Sequence, residues 1–299
     1  MSAIIPAIPS AAAQALPMQR SRGYWTSAML RFTRDPVAMG AALVVLLLIA
    51  LAVFGPWLAP ADPYQSSMLK RLKPIGTEGL PLGSDELGRD MLSRLIVGAR
   101  LSLFIGITPV VCAFVLGAAI GILAGYAGGI VNTAIMRTID VFYAFPSVLL
   151  AIALSGVLGA GVVNSLISLT IVFIPQIARV AESVTTQVRG RDYVEAARAS
   201  GASAFTIVRV HVLGNVLGPI FVYATSLIAV SMILASGLSF LGLGVKPPEP
   251  EWGLMLNTLR TAIYVQPWVA ALPGAMIFIT SISFNLLSDG LRSAMDNKS

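Results

Sequence analysis

The side chains that most often carry catalytic or metal chemistry are nearly absent from this sequence. It contains one histidine, His211, and one cysteine, Cys112. No Ser/His/Asp arrangement and no ligand cluster with zinc-type spacing can be argued from a single His and a single Cys. A lone cysteine also excludes a disulfide within the chain. We therefore predict no catalytic residue, no metal site and no cofactor, and we assign His211 a structural role.

Binding of ATP through a phosphate-binding loop would require a glycine-lysine pair in the pattern G-x-x-x-x-G-K-[ST]. None of the lysines of this chain follows a glycine; they are Lys70, Lys73, Lys246 and Lys298. The chain is therefore not expected to be an enzyme, and any dependence on ATP would have to come from a partner.

Asp140 is the charged residue closest to the interior of an apolar segment. Arg137 precedes it by three residues, a spacing that places two side chains on one face of a helix. We predict a local ion pair near the inner membrane interface. The alternative is a proton site of the kind found in ion-coupled carriers, whose membrane spans carry functional ionisable residues.

The polar loop at 181–216 carries the most informative residue pattern. Asp192 and Glu195 have the spacing of a capping box, with the Asp as the cap. This predicts a short helix over about 193–200 that ends at Gly201, which can adopt the left-handed conformation at the position after the cap.

A second short helix is predicted to follow in the same loop, capped by Ser203. It would carry three apolar side chains on one side: Phe205, Val208 and Val212. Ala197 and Gly201 are small and four residues apart, so another surface could approach the backbone there. The loop is predicted to be a compact helix–turn–helix on the inner face of a membrane; a solvated connector is the alternative.

Composition identifies the environment that these residues must occupy. The chain has 299 residues, of which 56% are hydrophobic and only 11% charged, with a mean hydropathy of +0.83. Soluble domains carry about a quarter charged residues, and disordered chains are poor in large apolar side chains. We predict an all-α integral membrane protein surrounded by a lipid bilayer, with no nucleic-acid partner.

Segments without Asp, Glu, Lys or Arg locate the membrane spans; they are 36–61, 101–136, 141–178, 210–245 and 261–288. A helix needs about 20 mostly apolar residues to cross the hydrocarbon core. The third segment contains a glycine-rich interruption at 156–161 that suits a hairpin between two spans. We predict about six transmembrane helices, at about 37–56, 101–125, 132–155, 162–180, 217–236 and 269–288. The alternative is five, with 141–178 as one long helix.

Basic residues predict the orientation, because Lys and Arg are enriched near the cytoplasmic ends of spans. With six spans and both termini inside, 12 of the 20 Lys and Arg lie on the inner side and 8 on the outer side. Residues 1–34 are predicted to be a cytoplasmic tail, since they lack the basic start of a signal peptide and contain helix-breaking prolines. Residues 35–299 form the transmembrane domain, with external loops at about 57–100 and 237–268.

Glu195-Ala196-Ala197, with Gly201 four residues on, resembles the EAA loop of ABC-importer permeases, the element that docks into a groove on the ATPase subunit. Further segments resemble, in the same order, those of the C-type subunit of the dipeptide/oligopeptide/nickel permease family; they are LGSDELGRD at 82–90 with the stretch up to 103, DVFYAFP at 140–146, SFLGLGVKPPEPEWG at 239–253 and FNLLSDGLR at 284–292. The similarity covers about residues 30–296.

This resemblance implies a type I ABC importer in a bacterial inner membrane. The implied partners are a homologous permease subunit forming a heterodimer, two ATP-binding subunits and an extracytoplasmic solute-binding protein that contacts the outer loops. The implied ATPase-coupling residues are Arg191, Asp192, Glu195, Ala196, Ala197, Arg198 and Gly201. The solute would be a peptide or a related compound, such as a nickel chelate, glutathione or an opine-like compound, and the residues that bind it are not predicted.

Three further expectations concern local structure. The family commonly has a proline at the end of its EAA segment where this chain has Gly214, and we expect the bend there to persist with more flexibility. Gly117, Gly121 and Gly125 should form a close-packing face on the second span. The stretch 83–100 is expected to be an amphipathic helix at the membrane surface.

Two other function classes remain as alternatives. An ion-coupled secondary transporter would move its solute without any ATPase subunit. A channel is disfavoured, because no span contains a charged or Gly-Tyr-Gly-type filter segment.

Overall fold

The computed structural model of the chain describes residues 24–295. Residues 1–23 and 296–299 lie outside the described residues, and with them most of the predicted tail and the basic residues Arg20, Arg22 and Lys298. Within the described residues the chain is helical, without a β-strand. The predicted all-α membrane fold is confirmed.

The helices are α1 Tyr24–Phe32, α2 Pro36–Leu58, α3 Met91–Ala127, α4 Gly129–Tyr143, α5 Ser147–Leu158, α6 Val162–Arg189, α7 Asp192–Ala199, α8 Ala204–Ile207, α9 Leu213–Phe240, α10 Trp252–Thr258 and α11 Pro267–Met295. Short 3₁₀ turns lie at Met68–Lys70 and Ala262–Tyr264, and a π-helical turn at Val208–Val212 joins α8 to α9. Of the described part of the chain, five helical stretches are long and apolar enough to cross a membrane, or six if α4 and α5 form one bent span.

The first span, α2, begins at Pro36, directly after its cap, Asp35. The Asp35 carboxylate accepts hydrogen bonds from the backbone N–H groups of Val37 (2.9 Å) and Ala38 (3.1 Å), and Pro36 occupies the first helical position. The short helix α1 precedes it, so the described part of the predicted tail is ordered. A Cβ atom on Gly290 of α11 would meet Ala38 and lie 3.5 Å from the Phe32 ring, which shows how closely these helices pack.

The second span, α3, begins ten residues before the predicted start at 101. The Asp90 carboxylate caps it by accepting from the Ser93 backbone N–H at 2.8 Å. The amphipathic surface helix predicted over 83–100 is therefore wrong, because 83–90 forms turns and the rest is the first part of α3. Arg94, whose charge excluded this stretch from the apolar segment, is buried and pairs with Asp85.

The predicted glycine face of α3 packs against the fourth span, α6. A Cβ on Gly117 would lie 2.9 Å from the Ile174 carbonyl oxygen, and one on Gly125 would lie 2.7 Å from the Glu182 carbonyl oxygen. A Cβ on Gly121, between them, would overlap the Ala178 carbonyl oxygen. Only glycine permits this approach of two backbones, so the prediction is confirmed.

The third span is broken rather than continuous over the predicted 132–155. α4 ends at Tyr143 and α5 starts at Ser147, with an angle of 85° between them. Pro146 has no N–H to donate and disfavours a helical conformation at Phe145. α5 ends at Leu158, so the alternative of one helix over 141–178 is also wrong.

The fourth and fifth spans extend further towards the polar loop than predicted. α6 continues to Arg189 instead of ending near 180, and helical backbone runs from 204 to 240 through the π-helical turn. Gly214 is the second residue of α9, directly after the π-helical turn, so it does not interrupt the helix, and the bend expected there stays a prediction. Unlike proline, glycine keeps the N–H that continues the helical hydrogen-bond ladder. Both spans therefore enter the loop as rigid helices.

Candidate functional site

The predicted coupling loop lies between α6 and α9, and α7 is its first helix. Arg191 occupies the N-cap position, and its carbonyl oxygen accepts from the N–H groups of Val194 (2.9 Å) and Glu195 (3.2 Å). The predicted capping box is wrong, because Asp192 is already the first helical residue and the cap has no side-chain hydrogen bond. Asp192 and Glu195 both lie in the first turn, where carboxylates interact favourably with the helix dipole.

Gly201 ends α7 as predicted. Its φ is +80°, in the left-handed region. Its N–H donates to the Arg198 carbonyl at 3.0 Å, and the Ala202 N–H donates to the Ala197 carbonyl at 3.1 Å. These two bonds form a Schellman motif, which satisfies the last carbonyls of the helix. A Cβ on Gly201 would contact nothing within 4 Å, so the backbone angle is the constraint that selects glycine here.

The second loop helix, α8, is capped by Ser203, whose hydroxyl oxygen accepts from the Thr206 N–H at 3.2 Å. The predicted cap is confirmed. The apolar side predicted for this segment is wrong, because Val212 is buried while Phe205 is 75% exposed. Ile207 supplies the buried contact in its place.

Three buried apolar side chains, Val194, Ile207 and Val212, anchor the loop, and most of its polar side chains are exposed. Val194 is buried, and the ring of Tyr193 lies 6.2 Å from the ring of His211, centroid to centroid. Most of the sequence-predicted coupling residues are exposed together on this element, with Ala197 half-buried; the exposed ones are Arg191, Asp192, Glu195, Ala196, Arg198 and Gly201. The result is a small, rigid surface of mixed charge with two small side chains.

Asp140 pairs with Arg179 of the fourth span, not with Arg137, so the predicted local pair is wrong. The Arg179 guanidinium carbon also lies 4.9 Å from the centroid of the Tyr143 ring. α4 packs beside α6, which brings together two charges that are 39 residues apart in the sequence. Sequence spacing could not have found this contact.

A buried ion-pair network stabilises the loop before the second span. Asp85 binds the Arg89 side chain at 2.6 Å and lies 3.3 Å from the Arg94 Nε atom. Arg94 Nη1 donates to the Pro63 carbonyl at 2.9 Å. These charged groups give the loop between α2 and α3 a defined fold.

The loop between α9 and α11 packs onto the start of α3 through α10. The buried Glu251 carboxylate accepts from the N–H groups of Gly253 and Leu254, each at 2.8 Å, and so caps this helix. Burial raises the pKa of Glu251, although the two backbone hydrogen bonds oppose the shift. Trp252, fully buried, donates from its ring nitrogen to the Leu95 carbonyl of α3 at 3.1 Å.

A cavity of about 900 Å³ lies beside this contact, lined in part by Asp62, Tyr64, Arg100 and Glu249. The Tyr64 hydroxyl donates to the Glu249 carboxylate at 3.0 Å. Burial raises the pKa of Tyr64, and the hydrogen bond to Glu249 adds to the shift. The two loops, between α2 and α3 and between α9 and α10, are thus joined by a hydrogen bond and line one cavity.

Across residues 24–295 no three His, Cys, Asp or Glu side chains come together in a way that could hold a metal ion. Cys112 is a free, exposed thiol on α3.

Two family models match the chain. Residues 117–298 match the binding-protein-dependent transport system inner membrane component, and residues 23–74 match the N-terminal TM domain of oligopeptide transport permease C.

Relatives of similar length align with nearly the whole chain. A glutathione transport system permease protein of Pectobacterium atrosepticum is 42% identical, over 92% of this chain and 91% of the relative. A di/tripeptide transport system permease protein of Pseudomonas aeruginosa is 41% identical with the same coverage. Among solved structures, the inward-facing MetNI methionine ABC transporter matches with a TM-score of 0.55 at 20% identity, over 68% of this chain and 97% of that chain. The last similarity concerns the fold alone.

Proposed function

Since this chain belongs to the binding-protein-dependent transport system inner membrane component family, as a permease of its peptide-importer branch, we propose that it forms half of a pathway for short peptides or a related solute. It is a multi-pass membrane protein of a bacterial ABC importer. Permease components of such importers are not enzymes, and ATP hydrolysis belongs to partner subunits. The observation that carries the proposal is the identity above 40% with two peptide-type permeases across nine-tenths of the chain.

The two relatives narrow the class of solute. One belongs to a glutathione transport system and the other to a di/tripeptide transport system. Glutathione and short peptides share amide bonds, an ammonium group and at least one carboxylate. A small zwitterion of this kind is the solute we propose for this chain.

The proposed complex contains a homologous second permease, two ATP-binding subunits and an extracytoplasmic solute-binding protein. The outer loops at about 57–100 and 237–268 are the proposed surface for the binding protein. Their buried ion pairs and the capped helix α10 support this assignment, because a rigid platform loses little entropy on docking. Residues 1–34 and both chain termini would lie in the cytoplasm, with residues 35–299 as the permease domain.

The loop between α6 and α9 is the proposed coupling element. Arg191, Asp192, Glu195, Ala196, Ala197, Arg198 and Gly201 would dock on an ATPase subunit. Support comes from the exposure of most of these residues and from the helical continuity of α6 and α9 with the loop. A displacement of the loop would move both spans as rigid bodies, as in the rocking motions of transporters.

Reconstitution tests this function. The chain is co-purified with its second permease and ATPase subunits, placed in liposomes with the binding protein, and assayed for uptake of labelled glutathione, dipeptides and tripeptides. We expect uptake only with ATP and all subunits present. Uptake by the chain alone, driven by an ion gradient, would establish the secondary-transporter alternative instead.

A further inference from the structure

The break in the third span creates a polar site on the membrane-spanning part of the chain. The 85° angle between α4 and α5 interrupts the span at Ala144, Phe145 and Pro146. At the break, about half of each aromatic side chain is exposed, 50% for Tyr143 and 57% for Phe145. These rings are therefore not packed into the core of this chain.

The Asp140–Arg179 pair lies beside this break and is also only partly covered. The two side chains are 40% and 46% exposed. Arg179 is the 18th residue of α6, so it lies about 26 Å along the helix from its outer end at 1.5 Å per residue, within the roughly 30 Å of hydrocarbon. This depth is close to the inner edge of the hydrocarbon, where a charged side chain costs less than at the centre of a span but is still disfavoured against lipid tails. Contact of the exposed side of the pair with water or protein is therefore favoured over contact with lipid.

A cavity of about 230 Å³ adjoins the pair through Tyr143, whose ring Arg179 contacts, and is lined on α6 by Pro175 and Gln176 and at the break by Tyr143, Phe145 and Ser147. Since each water takes about 30 Å³, the cavity has room for one end of a small solute but not for a whole peptide. The amide of Gln176, half-buried, can donate and accept hydrogen bonds there. The rest of the site would come from the second permease.

We propose that this cluster, Asp140, Tyr143, Gln176 and Arg179, lines the translocation pathway and binds a zwitterionic solute, its ammonium group at Asp140 and its carboxylate at Arg179. The inference rests on the proposed transport function and specifies where this chain contacts its solute. Arg179 contacts both the carboxylate of Asp140 and the ring of Tyr143, and this acid, base and aromatic face match the charges of a small peptide.

The backbone at the break supports the same assignment of charges. The C-terminal end of α4 carries the negative end of a helix dipole, and the N-terminal end of α5 carries the positive end. Discontinuous helices in other transporters direct such ends at the charged groups of their substrates.

The position of Arg179 also connects the site to the coupling loop. Ten residues of continuous helix separate Arg179 from the end of α6 at Arg189, three residues before α7. A movement of the loop would therefore displace Arg179 relative to Asp140 of α4. Separation of the pair would release a solute held between the two charges.

Thiol labelling in the complete, reconstituted complex tests this site and does not require the solute to be identified. In a Cys112→Ser background, Gln176→Cys is treated with an anionic and a cationic methanethiosulfonate reagent. The matched control is Leu47→Cys, on an exposed, apolar part of α2. We expect both reagents to label position 176 at least about tenfold faster than position 47, because ionised thiolate forms in water and not in lipid.

Charge variants then test whether both charges face the pathway. Adding Arg179→Gln leaves Asp140 unpaired and should lower the ratio of anionic to cationic labelling at position 176 at least about threefold. Asp140→Asn should raise the ratio, and Arg179→Lys should leave it near the parent value. ATP-driven uptake of a di- or tripeptide or of glutathione, whichever the parent complex imports, should fall at least about tenfold in both neutral variants.

Equal labelling at positions 176 and 47, or a ratio that neither charge variant changes, would overturn the site. Labelling at position 176 with the predicted ratios would support the site. If the proposed function is wrong, the parent complex will show no ATP-dependent uptake. The labelling experiment does not measure uptake, so the two failures can be told apart.

Discussion

At the scale of single residues, Gly201 is the position where backbone geometry and proposed function coincide. Its positive φ closes α7 and turns the chain into α8, and no neighbouring atom restricts a larger side chain. A substitution there therefore changes the conformation of the proposed coupling loop without creating a steric clash. This separates a defect in coupling from a defect in folding.

We predict that Gly201→Ala uncouples transport from ATP hydrolysis. An L-residue in the left-handed region costs about 1–2 kcal/mol, so the docked conformation of α7 becomes less populated. Uptake by the complete complex should fall about fivefold or more, whereas the amount of inserted protein should stay unchanged.

Gly190→Ala is the matched control, because Gly190 lies in the same loop with φ −84° and nothing nearer than 4.0 Å to a Cβ. It should transport at the parent rate. Parent-level uptake with Gly201→Ala would exclude this conformation as part of the coupling mechanism.

The ends of helices are predictable from the sequence, because they depend on residues that are close neighbours in the chain. Gly201 and Ser203 end and begin helices as predicted, because caps are determined within a few residues. The pairing of Asp140 is not predictable in the same way, because its partner, Arg179, is on another helix. The one-residue shift at Asp192 is of the size by which helix ends commonly differ.

At the scale of helices, apolar segments locate the spans but not their ends. The sequence segment begins at 101 because Arg94 and Arg100 count as exposed charges in a hydropathy pattern. In the folded chain, Asp85 pairs with the positive charge of Arg94, and the carbonyl of Pro63 accepts a hydrogen bond from it. The helix can therefore include Arg94 and begins at Met91. Tertiary ion pairs of this kind are invisible to such a pattern.

Proline positions show why the broken span could not be predicted. Pro56, Pro109, Pro175, Pro219 and Pro273 all lie inside helices, whereas Pro146 separates two of them. Helices in membranes tolerate proline when neighbouring groups satisfy the freed carbonyls. The identity of the residue alone therefore does not decide between a kink and a break.

The α3–α6 contact provides a prediction at this scale. Gly121→Ala should destabilise the protein by about 1–3 kcal/mol, as overpacking does in tight cores, because the new methyl group would overlap the Ala178 carbonyl. The free energy of unfolding in mixed SDS micelles measures the effect.

Gly40→Ala, in the apolar helix α2 with nothing within 4 Å of a Cβ, is the control. It should be neutral or stabilising by up to about 1 kcal/mol, from helix propensity. Equal free energies of unfolding for the two variants would contradict a role of Gly121 in close packing of the α3 and α6 backbones.

At the scale of the whole molecule, composition predicts the membrane environment and five ordered motifs predict the family. Neither of them places Asp140 against Arg179 or folds the outer loops together through Trp252 and Leu95. Those features depend on how the spans pack. They are also the features on which the proposed docking platform and the proposed solute site depend.

The central claim is that this permease is moved by an ATPase partner through the loop between α6 and α9. Its most direct test is photo-crosslinking in the assembled complex, with a benzophenone maleimide attached to Arg198→Cys in the Cys112→Ser background. Glu78→Cys, on the exposed outer loop, is the control. We predict a covalent adduct with the ATPase subunit, identified by mass spectrometry, from position 198 and none from position 78. An adduct with the ATPase from position 78, or none from position 198, would contradict the claim.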